Sequence, residues 1–500
     1  MQHFIAVMAR VERRSPLRRS TFSLVHYHHH HLGSQRPSLF SSSTAASVPS
    51  AMGKQELRRW SLRTLANLRH EPLHPNVGEM LLTDLTARLE HQQDVCRQLR
   101  ANVESIRDGT PDELLSEKAN NESVPHKASE DTIIRTSKFI APQWWKQKKV
   151  APLSNEEYQV RLQDCNRALR RLESLEVMHR NTADICQNLL QQIHNTESTS
   201  SSNNNDNNLQ YVINEALKSV NARLGPTAET LAEMSIALRL YSPRKLATLH
   251  RTMDAFFRGR YGVQLLCNHY VALNKGKECG EVQMDCDIRD VIDDAVTEAK
   301  HLCEAHFMTS PDVHISAPLL LAGDLTGTAR ATIIRPWLTF TLVELLKNAM
   351  AVSVEGSDTP FDFDTDEDDI TLPPIHIDVE QKDGYMLIHI HDQGGGLPKG
   401  IRPSSLFVFA QKEKLWDRMD DQTTYAMTRS PLRGLGAGLS LSRLTMQHFG
   451  GTVFLQNQVA GELQTGCTAT IRLNLDEEQP ERLVASECKA MRLEMLSESA

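Results

Sequence analysis

The stretch from Thr339 to Glu355, TFTLVELLKNAMAVSVE, repeats apolar residues on a helical period, yet sets Glu344, Lys347 and Asn348 at helical offsets of zero, three and four. All three therefore share one face. A carboxylate, an ammonium and a carboxamide on an otherwise apolar helix need partners, because an unpaired buried polar group is costly. A phosphate and its metal would supply them. Asn348 offers a neutral carbonyl oxygen to Mg2+, an ion that takes one or two protein ligands and fills its octahedron with water and phosphate oxygens. Glu344 is then left to act as a base. An amphipathic core helix with a solvated Glu344–Lys347 pair accounts for this one stretch equally well.

Two glycine stretches further on decide between these readings. HDQGGGLP follows a strand pattern and holds Asp392, Gly394 and Gly396; beyond a lid-sized segment from Lys399 to Arg433 comes SPLRGLGAGLSLSRLTMQHFGG, in which Gly434, Gly436 and Gly438 open a helix. Glycines there let backbone amides approach an anion, and the helix points its partially positive end at it. Asp392, on a loop leaving a strand, can accept from an amino group such as that of adenine, and Gly394 and Gly396 leave room for the ring. A lone Gly-x-Gly-x-Gly says little. In this order, after a Glu-x-x-x-Asn helix and an Asp-x-Gly-x-Gly loop, it points to a nucleotide site.

The 500 residues are enough for several domains. A net charge of -8 gives no footprint for nucleic acid, and no run approaches the roughly eighteen apolar residues of a membrane span. Nine scattered cysteines, with no Cys-x-x-Cys, read as thiols in a reducing compartment. Residues 1–55 carry seven Lys or Arg against the single acid Glu12 and become serine- and alanine-rich after Ser34, the composition of a mitochondrial transit peptide. From 56 to 275 the chain reads as helices. Leu82, Leu85, Leu89, Gln92, Cys96, Leu99, Val103 and Ile106 form one stripe and Leu162, Cys165, Leu169 and Leu172 a second, with further helices at Thr227–Leu240 and Pro243–Ala272. Disordered insertions near 108–152 and 197–208 break any coiled-coil seam and suit an antiparallel bundle. Residues 280–475 read as mixed α and β: a helix over Ile288–His306, an acidic excursion at 358–369, and strands around Ile375–Val379, Met386–Ile390, Thr452–Gln456 and Thr468–Leu473, followed by a tail, 476–500.

ELLKNAM, DQGGGLP and GLGAGLSLSRL resemble the N, G1 and G2 boxes of the GHKL ATP-binding superfamily, and more narrowly those of the mitochondrial α-keto-acid dehydrogenase kinases of pyruvate and branched-chain type. The likeness runs upstream through FFRGRYGVQLLCNHYVAL (256–273) and HLCEAHFMTSPDVHI (301–315). The resemblance implies an α+β multidomain fold, in which a four-helix-bundle-like regulatory domain precedes a GHKL (Bergerat-type) α/β sandwich that binds ATP. It implies a protein serine kinase that phosphorylates, and so inhibits, the dehydrogenase component of a keto-acid dehydrogenase complex. ATP, Mg2+ and K+ come with it, as do a homodimer, docking to the lipoyl-bearing core, and the mitochondrial matrix. By position, Glu344 would be the base with Lys347 beside it and Asn348 the metal ligand. Ala351, Asp392, Gly394, Gly396, Gly434, Leu435, Gly436, Ala437, Gly438, Leu439 and Thr468 would join Glu344 and Asn348 around the nucleotide.

Four positions depart from the pattern: Phe340 stands for a histidine one turn before the base, Ala351 for an arginine, and Ala437 and Ser440 for an aromatic and a proline. Two alternatives follow. One is a catalytically weak, nucleotide-gated binding module; the other is a histidine kinase, although the candidate acceptor His269 is followed by Tyr270 and Val271 instead of an acidic residue. The pyruvate-type kinases carry a long tail with an Asp-Trp element, whereas the last tryptophan here is Trp416. That favours a branched-chain-like or generalist kinase.

Overall fold

The computed structural model describes residues 57–70, 75–108, 155–197, 203–223, 243–276, 280–316, 329–356, 372–397, 403–407, 409, 437–460 and 463–483. The leader, the 109–152 part of the first insertion, the helix expected at Thr227–Leu240, the acidic excursion and nearly all of Lys399–Arg433 lie outside them. So do Gly434, Leu435 and Gly436.

A short helix, α1 (Leu62–Asn67), begins at Ser61, whose hydroxyl accepts from the Thr64 amide at 3.1 Å. Four long helices follow: α2 (Pro75–Arg107), α3 (Asn155–Glu197), α4 (Asn203–Arg223) and α5 (Pro243–Asn274). Every residue of the first stripe, from Leu82 to Ile106, is buried, and α2 packs along α3 on one side and α5 on the other, with α4 against α5. The asparagine-rich run is not an insertion. Helix α4 starts at Asn203, and further along it Ile213, Leu217 and Val220 form a buried stripe.

The second half holds β1 (Val282–Asp287), α6 (Ile288–Phe307), β2 (Val313–Ile315), β3 (Arg330–Ile334), α7 (Arg335–Glu355), β4 (Ile375–Lys382), β5 (Tyr385–His391), α8 (Gly438–His448), β6 (Thr452–Ala460) and β7 (Leu463–Asn474). β1 and β3 pair separately; the main sheet has the order β2-β4-β5-β7-β6. Its β4–β5 hairpin turns at Asp383 and Gly384, with φ of 50° and 77°, the paired left-handed backbone of a tight hairpin turn. Alternation puts Ile377, Ile388, Ile390, Ala469 and Ile471 on the buried face, and α6 and α8 pack against α7. Sequence periodicity missed β1, β2 and β3, which are short and mixed in burial.

Helix α7 is long and apolar enough to span a membrane by length and composition, but 78% of that window is buried inside the fold. It is the core helix of the second half.

The start of the expected tail is fastened. Pro480 bridges to Ser61, and the Glu481 amide donates to the Trp60 carbonyl at 2.8 Å. The Glu481 carboxylate, 1% exposed, meets Arg88 of α2 and accepts from His448 Nε2 of α8 at 2.9 Å. Arg88 is also held by Asp84 at 2.9 Å, which in turn accepts from Trp60 Nε1 at 2.8 Å. Burial alone would raise the Glu481 pKa, but Arg88 and His448 hold it down to about 2. A depressed carboxylate stabilises the fold above its ordinary range. That contribution is therefore present at neutral pH and is lost as the pH falls from about 4.5 toward 2. Arg88→Met should cost about 3–5 kcal/mol, because it strands two buried carboxylates. Urea denaturation at pH 7 measures it; a loss under 1 kcal/mol would mean that the junction is solvated.

Candidate functional site

Helix α7 is covered along nearly its whole length, and what emerges is one stripe: half-buried Glu344 and Ala351 and exposed Asn348 and Val352, with Lys347 buried at its edge. Glu344 Oε1 lies 2.5 Å from Lys347 Nζ, and the lysine is buried. The ammonium is therefore committed to Glu344, holding the carboxylate in place. Oε2 faces the start of α8, where a Cβ on Gly438 would come within 2.1 Å of it. Any side chain at 438 would displace the carboxylate. Ala437 precedes α8 and supplies no side-chain cap, so among the described residues no side chain caps the first-turn amides, which suit an anion. Leu439, next in that turn, is half-buried.

One turn beyond Glu344, Asn348 is exposed, and its carboxamide has no hydrogen-bond partner among the described residues. A further turn on, Val352 meets the loop after β5: a Cβ on Gly394 would lie 2.5 Å from Val352 Cγ2. So Gly394 makes room for a helix side chain, whereas the sequence suggested room for a ring. Gly395 and Gly396, with φ of 78° and 75°, supply the left-handed backbone that turns the loop. From Glu344 to Val352 the stripe runs about 12 Å along the helix, with Gly438 at one end and the Asp392 loop at the other.

Asp392 is buried, and one oxygen, Oδ1, accepts from the amides of Gly394 at 3.0 Å and Cys467 at 3.1 Å. Oδ2 is left for a donor. Burial raises its pKa, against the two amide bonds that lower it. Gly466 lets β7 close on this loop, since a Cβ there would sit 1.9 Å from the Asp392 carbonyl oxygen.

Thr468 does not join the site. Its hydroxyl is 2.9 Å from His391 Nδ1 on the far face of the sheet, beside Gln458, because side chains alternate along β7 and Thr468 pairs with His391. The residue on the Asp392 side is Cys467, buried, with its thiol pushed up to about 12 by burial. Phe340 is buried, so an apolar ring stands one turn before Glu344. Ser440 is buried in α8, and its hydroxyl has no hydrogen-bond partner among the described residues.

These groups fit a magnesium nucleotide: an amine acceptor at Asp392, a carbonyl oxygen at Asn348 and a helix start beside a carboxylate, the last two without a side-chain partner among the described residues.

Residues 335–477 match the family of histidine kinase-, DNA gyrase B- and HSP90-like ATPases, and residues 142–292 match the mitochondrial branched-chain alpha-ketoacid dehydrogenase kinase family. The mitochondrial pyruvate dehydrogenase kinase of Drosophila melanogaster is 29% identical over 209 residues, 41% of this chain and 47% of the relative. That of Ascaris suum is 28% identical over 251 residues, covering 48% and 58%. Rat isozyme 4 is 28% identical over 211 residues, covering 41% and 47%. The chain thus spans about half the length of the curated relatives it matches. A mycobacterial sensor histidine kinase, MprB, superposes with a TM-score of 0.26 at 16% identity over 39% of this chain and 96% of that one, too loosely to bear on fold or function.

In Asp392→Asn the carbonyl oxygen can still take both amides, but the amide nitrogen then faces an amine donor. ATP affinity should fall roughly 10- to 150-fold, the loss of a hydrogen bond to a charged group of about 1.5–3 kcal/mol. The raised carboxyl disfavours the folded state as the pH rises through its pKa, so thermal stability at pH 7 should hold or increase. Calorimetric titration with ATP and a melting curve check both; unchanged affinity would remove Asp392 from the site.

Proposed function

Because the chain belongs to the mitochondrial α-keto-acid dehydrogenase kinase family of GHKL ATPases, we propose that it is an ATP-dependent protein serine kinase that phosphorylates, and so inhibits, the dehydrogenase component of such a complex in the mitochondrial matrix. The observation that carries this reading is the α7 stripe, which has Glu344 against Gly438 at one end and Val352 against the Asp392 loop at the other. Asp392 Oδ2 takes the adenine amine. The start of α8, with residues 434–439, takes the phosphates, and Asn348 would hold Mg2+, whose charge would offset that of the phosphates. Glu344, fixed by Lys347, accepts the proton of the serine hydroxyl.

Phosphoryl transfer asks chiefly for positioning and charge compensation. A base beside an uncapped helix start provides both. The helices α2 to α5 serve as the four-helix regulatory domain, the chain acts as a homodimer, and it docks on the lipoyl-bearing core; a requirement for K+ comes from the family resemblance. The family model carries the branched-chain name while the relatives are pyruvate-type, so either dehydrogenase fits.

A histidine-acceptor role for His269 is disfavoured by its setting. The ring is buried; Nε2 donates to the Leu65 carbonyl at 2.9 Å and Nδ1 accepts from the Glu281 amide at 3.1 Å. Both nitrogens are used.

Glu344→Gln should bind Mg-ATP as the wild type does and lose roughly 10²- to 10⁴-fold in transfer rate. Asn348→Ala should weaken Mg-ATP binding while leaving binding of metal-free ATP less affected. Radiolabel transfer to the purified dehydrogenase component, with an acid-stable and alkali-labile product, is the assay. Wild-type rates in Glu344→Gln would show that this carboxylate is structural.

A further inference from the structure

Helix α8 touches the candidate site only with its first turn; its last turn is held by two other parts of the molecule, the segment after β7 and α5. His448 donates through Nε2 to Glu481 Oε2 at 2.9 Å, and the His448 carbonyl accepts from the Arg482 amide at 2.8 Å. Gln447 Oε1 accepts from Arg258 of α5 at 2.7 Å. Glu481 is in turn bound by Arg88 of α2, whose Nη1 lies 3.1 Å from Oε2, and by the Trp60 amide at 3.1 Å on Oε1. Gly262 of α5 leaves space for that guanidinium, since a Cβ there would lie 2.4 Å from Arg88 Nη1. His448, Glu481 and Arg88 are all at most 2% exposed.

An α-helix of this length is stiff over its roughly 16 Å. Whatever sets its last turn therefore sets where its first turn stands against Glu344. We propose that Glu481 is a positioning residue for phosphoryl transfer, which fixes α8 from its far end through His448 and ties that placement to the first helical half through Arg88. The inference rests on the kinase reading above. It adds that the helical half sets transfer through an ionic joint that touches neither nucleotide nor base. Adenine binding, which depends on Asp392 at the other end of α7, is largely independent of this joint.

The test uses the full chain with Mg-ATP and the dehydrogenase component. His448→Phe keeps ring volume and leaves the Arg88–Glu481 pair intact, but cuts the bond to α8. Its kcat should fall about tenfold, as a misplacement of under 1 Å at the reacting groups would cause, with Kd for ATP changed less than threefold. His448→Gln restores a donor at similar reach and should recover most of the rate. Circular dichroism at the assay temperature shows whether each variant is folded. If His448→Phe is not, the triple variant Asp84→Asn, Arg88→Met and Glu481→Gln removes the three buried charges together, keeps an acceptor for His448 and should show the same loss of kcat. Unchanged kcat in a folded variant, or equal losses in kcat and affinity, would make the joint merely structural. A wild-type chain without transfer would sink the kinase reading itself, and this inference with it.

Discussion

Helix α7 is buried on every side but one, and this constrains most of the second half of the molecule. Its apolar faces are claimed by α6, α8 and the sheet, so the polar residues can emerge only along the Glu344–Asn348 stripe. A buried ammonium beside a half-buried carboxylate is tolerable only with close geometry. Glu344 has it: Lys347 fixes one oxygen, and the missing side chain of Gly438 leaves space for the other. The glycine-rich loops are then shaped by what α7 presents to them, Gly438 by a carboxylate and Gly394 by Val352.

At the other end of the stripe, Asp392 shows how a single acid is kept ready for a ligand. Two backbone amides occupy Oδ1, which fixes the rotamer, while burial makes the remaining charge expensive until a donor arrives. Glu481 is the contrasting case, since its partners are built in and its ionised form is secured by Arg88 and His448. One carboxylate is arranged for a visitor and the other for a joint.

Much of this was legible in the sequence for local reasons. The α7 stripe, the hairpin turn at Asp383 and Gly384, and a helix opening near Gly438 all follow from periodicity and glycine placement within a few residues. What was missed depends on distant pairing. Thr468 and Cys467 are neighbours in sequence, and only the register of β7 against β5 decides which of them faces Asp392. The role of Gly394 requires knowing that Val352 lies above it. Glu481 meets Arg88 across 393 residues, and no local pattern signals a buried acid in what reads as a tail. The Asn203 run was misjudged because composition outweighed the apolar stripe that follows it.

The central claim is that one stripe of α7 lines a single magnesium-nucleotide site, with Asp392 at the base end and Glu344 at the phosphate end. The most direct measurement is a crystal structure of the full chain with Mg2+ and a non-hydrolysable ATP analogue. The account predicts the exocyclic amine of adenine within hydrogen-bond distance of Asp392 Oδ2, the metal on the Asn348 carbonyl oxygen, and the terminal phosphate between Glu344 and the first turn of α8. A nucleotide bound elsewhere, or one whose base does not touch Asp392, would contradict it.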